Sequence, residues 1–185
     1  MKKFIGILIF FISFNISSQD TYLQCGKIID TERGKVLNKK TIIVSSDKII
    51  AIKNGYVSSD NPLDKVIDLK SKTVMPGLID MHVHIESEFN PQKYMNAFTA
   101  NDADIAFGSL KFAEITLMAG FTTVRDLGGT GINISLRDAI AKGEVVGPRI
   151  FTAGKAIGTT GGHADPTNGW KNSLRGDPGP KEGVI

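Results

Sequence analysis

Between residues 22 and 69 apolar and polar residues alternate in short runs, rich in β-branched side chains and separated by turn residues. That is strand patterning. Residues 22–30 read as one strand, 41–45 and 48–53 as a hairpin about Ser46-Asp47, and 66–69 as another strand, with Asp30 and Gly34 bracketing a turn. A longer apolar strand is predicted over 73–84, bent at Pro76-Gly77, and a polar and aromatic loop over 85–99. The period then changes. Ala103, Ala106, Leu110, Ala113 and Leu117 recur at three- and four-residue spacing, predicting a helix over 102–119 that ends at Gly120. A strand at 121–126, a glycine-rich turn at 127–131, a helix at 135–142 bounded by Asn133 and Gly143, and a strand at 148–154 complete the pattern. This βαβαβ alternation predicts a parallel sheet with helical crossovers.

The chemistry concentrates at the end of the 73–84 strand. Residues 75–84 read Met-Pro-Gly-Leu-Ile-Asp-Met-His-Val-His, and two of the three histidines of the chain stand there one residue apart. Alternation along a strand places Asp80, His82 and His84 on one face and Ile79, Met81 and Val83 on the other. Two neutral imidazoles converging from one strand end supply half of a site for zinc or a similar divalent ion. Asp80 falls early in the motif and suits a supporting or packing role. Arg125 and Asp126 close the 121–126 strand, but adjacent residues face opposite ways. An ion pair or a helix cap is the expectation for them, with no catalytic role. Trp170 stands in a polar Gly/Pro-rich tail, where it either lines a pocket or anchors the loop.

Motif and pattern together resemble the amidohydrolase superfamily from about Tyr22 onward, nearest its prolidase-like and imidazolonepropionase-related members. The resemblance implies an α/β chain, the N-terminal part of a (β/α)8 TIM-type barrel preceded by a small β-sandwich segment. It divides the chain into a signal peptide (1–18), the β-sandwich segment (19–74) and the first βα units of the barrel (75–185). In that family His-x-His closes the first barrel strand and binds one or two metal ions, usually zinc, so His82 and His84 are the expected ligands. A lysine, two further histidines and an aspartate acting as general base come from later strands, which are expected beyond Ile185. A barrel of this kind takes about 250 residues, so the chain reads as an N-terminal fragment. His163 follows two glycines in the segment 158–165, and members of this branch carry a similar Gly-Gly-His segment. The resemblance therefore implies that His163 contacts substrate; a surface loop histidine is the other reading. The glycines there lack the Gly-Lys-Ser/Thr ending of a phosphate loop.

The implied activity is hydrolysis of carbon–nitrogen bonds in a peptide, dipeptide or cyclic amide by metal-activated water. A deaminase of the same superfamily and an inactive fragment are the alternatives. The partner is a small-molecule or peptide substrate, and a homo-oligomer is compatible with the pattern. The net charge is only +3, and no basic cluster is interleaved with aromatics, so nucleic acid is not an expected partner. Lys2 and Lys3 precede an apolar run over 4–14 and a polar stretch over 15–20. This layout predicts export to the periplasm or beyond, with no stable membrane span after cleavage, since a span needs about 20 apolar residues. A retained anchor is the runner-up. The single cysteine, Cys25, excludes an internal disulfide and is expected to be packed within its strand.

Overall fold

The computed structural model describes residues 19–185, so the expected signal segment lies outside the described residues. The chain divides into two compact units, one through Pro76 and one from Gly77.

The first unit is a four-stranded sheet built from β1 (Asp20–Asp30), β2 (Lys35–Ser45), β3 (Lys48–Asn54) and β4 (Lys65–Val74), in the order β3-β2-β1-β4. β1 pairs antiparallel with β2 and parallel with β4. Alternate residues from the central strands converge on Cys25, Ile28 and Ile42, with Leu23, Leu37, Val44, Leu69 and Val74 packed around them. Cys25 is wholly buried, and that burial pushes its thiol pKa up. It is a packing residue, as its strand setting suggested. The predicted hairpin turn at Ser46-Asp47 is present. The turn after Asp30 is held by the Asp30 carboxylate, which accepts the Arg33 backbone N–H at 3.1 Å.

The second unit carries a parallel three-stranded sheet, β5 (Leu78–Val83), β6 (Phe121–Asp126) and β7 (Arg149–Thr152), in sequence order. Helices α1 (Lys93–Thr99) and α2 (Asp102–Met118) connect β5 to β6, and α3 (Ile132–Ala141) connects β6 to β7. The βαβαβ order read from the sequence is therefore present. Val124 on the central strand is fully buried, with Ile85, Ala113, Leu136 and Ile150 around it. These residues come from the strands, from both crossover helices and from the residue after His84. Helix α2 begins at a reciprocal cap, the Asp104 carboxylate accepting the Asn101 backbone N–H at 2.9 Å. It ends where Gly120 turns left-handed at φ +98° and donates to the Leu117 carbonyl.

Four expectations change. The 73–84 segment is not one strand, because Val74 is claimed by β1 through Ile28 and a new strand starts only at Leu78. The 85–99 segment is not all loop, since α1 occupies its last seven residues. Ala103 is exposed, and the packed stripe of α2 runs instead through Ala106, Ser109, Leu110, Ala113 and Leu117. Helix α3 starts three residues before the expected Ser135, so Asn133 lies inside the helix instead of bounding it.

Candidate functional site

The carboxyl end of β5 is irregular, and the irregularity aims the two histidines. Asp80 pairs with Val124 and Val83 with Asp126, so three steps along β5 match two along β6. This is a β-bulge over Met81 and His82. A bulge leaves backbone groups without ladder partners, and two side chains supply them. The Asp80 carboxylate accepts the His82 backbone N–H at 3.0 Å. Arg125 donates its Nε to the Met81 carbonyl at 2.9 Å. Strict alternation from Asp80 to His84 is thus broken, and His84 stands one residue past the end of the strand. The two rings nonetheless meet edge to face, with centroids 5.5 Å apart and planes at 72°.

The His84 ring is oriented by its neighbour across the sheet. Its Nδ1 lies 2.6 Å from the carbonyl oxygen of Gly128. A carbonyl only accepts, so Nδ1 must carry the hydrogen and the lone pair of a neutral ring is left on Nε2. That is the arrangement metal-binding histidines adopt, one nitrogen donating to an oxygen and the other free for the ion. The His82 ring has no hydrogen-bond partner among the described residues, and both histidines are exposed. The donor chemistry therefore fits a divalent ion. No set of three or more His, Cys, Asp or Glu side chains among the described residues is grouped to hold one.

Two buried carboxylates hold the backbone around this pair. Asp126, 1% exposed, accepts the Ile85 N–H on Oδ2 at 2.8 Å and the Gly128 N–H on Oδ1 at 2.8 Å. The Asn133 side chain adds a third bond to Oδ1 at 3.0 Å and spans to the Gly154 carbonyl at 2.8 Å. The expected ion pair with Arg125 is not made, because Asp126 points into the unit and Arg125 outward. Glu86, also buried, accepts the backbone N–H groups of Thr130 at 2.6 Å and Asn133 at 2.7 Å. It caps α3 from outside the helix, where Gly131 has no side chain to do so. Gly129 makes room for it, since a Cβ there would lie 2.4 Å from the Glu86 carboxyl carbon. Sequence reasoning assigned nothing to Glu86. A single glutamate in a polar loop gives no local signal, and its partners lie more than forty residues away.

His163 is exposed, and no hydrogen bond or ring contact among the described residues joins its side chain to the His82–His84 pair. Its loop is tied down by Asp165. That carboxylate is buried, accepts the backbone N–H of Gly161 at 2.7 Å, the Thr167 N–H at 2.8 Å and the Thr167 hydroxyl at 2.7 Å, and has Arg175 at 3.7 Å. Led by the Gly161 N–H, these bonds favour the ionised form and hold its pKa down to about 2. A lowered carboxylate pKa stabilises the fold above the ordinary value near 4, and the contribution is lost as pH falls through the folded value. The loop 158–168 is therefore expected to loosen between about pH 4 and pH 2. Hydrogen exchange across that range checks this, and Asp165→Asn should remove the transition. Trp170 packs on Phe98 of α1 with ring centroids 5.5 Å apart, a contact that ties the tail to that helix.

Residues 73–182, more than half the chain, match the amidohydrolase family. Similar solved structures include an Xaa-Pro dipeptidase with methionine bound in its active site, 42% identical over 90% of this chain and 41% of that one, with a TM-score of 0.81. A prolidase in complex with N-methylphosphonate-L-proline is 40% identical over 78% of this chain and 34% of that one, with a TM-score of 0.68. Among curated proteins, a 5-methylthioadenosine/S-adenosylhomocysteine deaminase from Bacillus cereus is 40% identical over 65 residues, 35% of this chain and 15% of the deaminase. The chain thus spans well under half the length of these relatives. The family generally binds divalent metals and acts on small molecules. Among the described residues no helix is long and apolar enough to cross a membrane. Motif, parallel βαβ order and relatives agree: the chain belongs to the amidohydrolase family, near its prolidase-like branch.

Proposed function

We propose that the full-length protein is an exported, zinc-dependent hydrolase of carbon–nitrogen bonds, acting on dipeptides with a C-terminal proline. The observation that carries this reading is the His84 ring, its Nδ1–H committed to the Gly128 carbonyl and its Nε2 lone pair left free beside His82. Likeness to an Xaa-Pro dipeptidase over 90% of the chain supports the substrate class. The parallel β5-β6-β7 order favours the opening of a (β/α)8 barrel, whose chemistry gathers at the carboxyl ends of the strands. The lysine pair and apolar run at the start of the chain favour export.

His82 and His84 would hold the ion. When bound, it supplies Lewis acidity toward a water and toward the scissile carbonyl. The residues of this chain set the stage for that chemistry. Asp80 and Arg125 stabilise the bulge that brings the two rings together. Gly128 accepts from Nδ1, so the neutral His84 ring would present its Nε2 lone pair to the ion. The loop fixed by Asp165 offers His163 as a contact for the carboxylate or carbonyl of a substrate.

A deaminase is the second reading, favoured by the 65-residue match to the adenosine-type enzyme. Assaying the full-length protein with Xaa-Pro dipeptides and with 5-methylthioadenosine separates the two. Hydrolysis of the dipeptide that disappears on chelation and returns with zinc is the expected result. Chelator-insensitive turnover, or deamination alone, would overturn it.

A further inference from the structure

Asp126 belongs to neither histidine, yet its two oxygens control both supports of the His84 ring. Oδ2 takes the N–H of Ile85, the peptide that leaves His84. Oδ1 takes the N–H of Gly128, the residue whose carbonyl meets His84 Nδ1. One carboxylate thereby sets the backbone that carries the imidazole and the acceptor that orients it. The group is 1% exposed and is bonded on both oxygens, so it cannot swing away to serve solvent or substrate. Glu86 restrains the far side of the same turn through Thr130 and Asn133. The Gly128 carbonyl thus sits in a segment held at both ends.

We propose that Asp126 is a positioning residue for the metal site, fixing the tautomer and direction of His84 through the Ile85 and Gly128 peptides. This rests on the reading of His82 and His84 as metal ligands. Metal-ligating histidines depend on the acceptor behind the ring, and loss of such support weakens metal binding by about 10- to 100-fold. Here the acceptor is a peptide carbonyl, so the dependence passes one step further back, to the carboxylate that holds that peptide.

The test uses the full-length protein. Zinc affinity is measured by competition with a chromophoric chelator, and the cobalt-substituted protein by its visible spectrum. Asp126→Asn keeps the shape but turns an NH2 group toward an N–H donor, so one of the two peptides loses its acceptor. Zinc affinity should fall by about 10- to 100-fold and the cobalt spectrum should shift. Asn133→Ala removes the third bond to Asp126 but leaves both peptide contacts, and should bind zinc within about threefold of the parent. His84→Ala tests the underlying reading. If His84→Ala weakens zinc and Asp126→Asn does not, the positioning role is wrong and the metal reading stands. If His84→Ala leaves zinc binding intact, both fall. Equal losses in Asp126→Asn and Asn133→Ala would reduce Asp126 to a packing residue and overturn the inference. Should Asp126→Asn fail to fold, nitrogen-15 spectra of the metal-free parent decide. The Nδ1–H tautomer is expected at His84, and Nε2–H there would overturn the inference.

Discussion

Replacing His84 with alanine is expected to lower the catalytic efficiency toward an Xaa-Pro dipeptide by about 1,000-fold or more. The reason is the smallness of the ligand set. On the proposed reading His82 and His84 would supply two of the three or four protein ligands that such a site needs, so one imidazole would be a large share of the binding. His84 is also the ring already oriented by an acceptor, its Nδ1 lying 2.6 Å from the Gly128 carbonyl. Removing it leaves that carbonyl without its donor as well as removing the ligand. Metal content per chain, read by atomic emission, should fall together with activity. His163→Ala should behave differently. It should raise KM for the dipeptide and leave metal content unchanged, because the side chain of His163 makes no contact with the pair among the described residues. Loss of metal in His163→Ala, or full activity in His84→Ala, would remove the site assignment.

The largest expected loss of stability comes from Glu86→Ala, at about 2–4 kcal/mol. The substitution strips the acceptor from two backbone N–H groups at the start of α3, those of Thr130 and Asn133. Each such group left unsatisfied costs about 1–3 kcal/mol, and the negative charge that complements the helix N-terminus is lost with them. Gly131 cannot replace the cap, having no side chain. Urea unfolding of the metal-free protein measures the total. Hydrogen exchange at Thr130 and Asn133 localises it, and faster exchange there than at Val124 is the expected signature. Glu86→Gln retains one acceptor oxygen and should cost less. A destabilisation below about 0.5 kcal/mol for Glu86→Ala would mean that solvent replaces the cap.

Much of the second unit was legible along the chain because its signals are local. The helical period of α2 and the glycine after its last turn depend on residues within one helix; the helix and its stop are found as read, and only the first residue of its stripe, Ala103, faces outward. The same is true of β6, whose bounds match the expected strand. Errors arose where a distant partner decides. Val74 reads as the start of a barrel strand until Ile28, in another strand, claims it. Asn133 resembles a helix boundary by residue type, yet it lies within α3, its side chain bridging Asp126 and Gly154. Helix α1 had no sequence signature, since Gln92 makes no side-chain cap and no acidic residue stands in its first turn. The histidine pair was visible as a motif. The carboxylates behind it were not, because Glu86 meets Thr130 and Asn133, and Asp126 meets Ile85, across a crossover rather than along a strand.

The surplus residue in β5 makes the spacing of the imidazoles a matter of counting rather than of side-chain identity. Laboratory evolution that swaps Met81 for another apolar residue should be tolerated, whereas deleting Met81 would leave two steps of β5 against two of β6, remove the bulge and change how the two imidazoles stand to one another. Indel libraries across this segment should therefore be far more damaging than point libraries of the same depth.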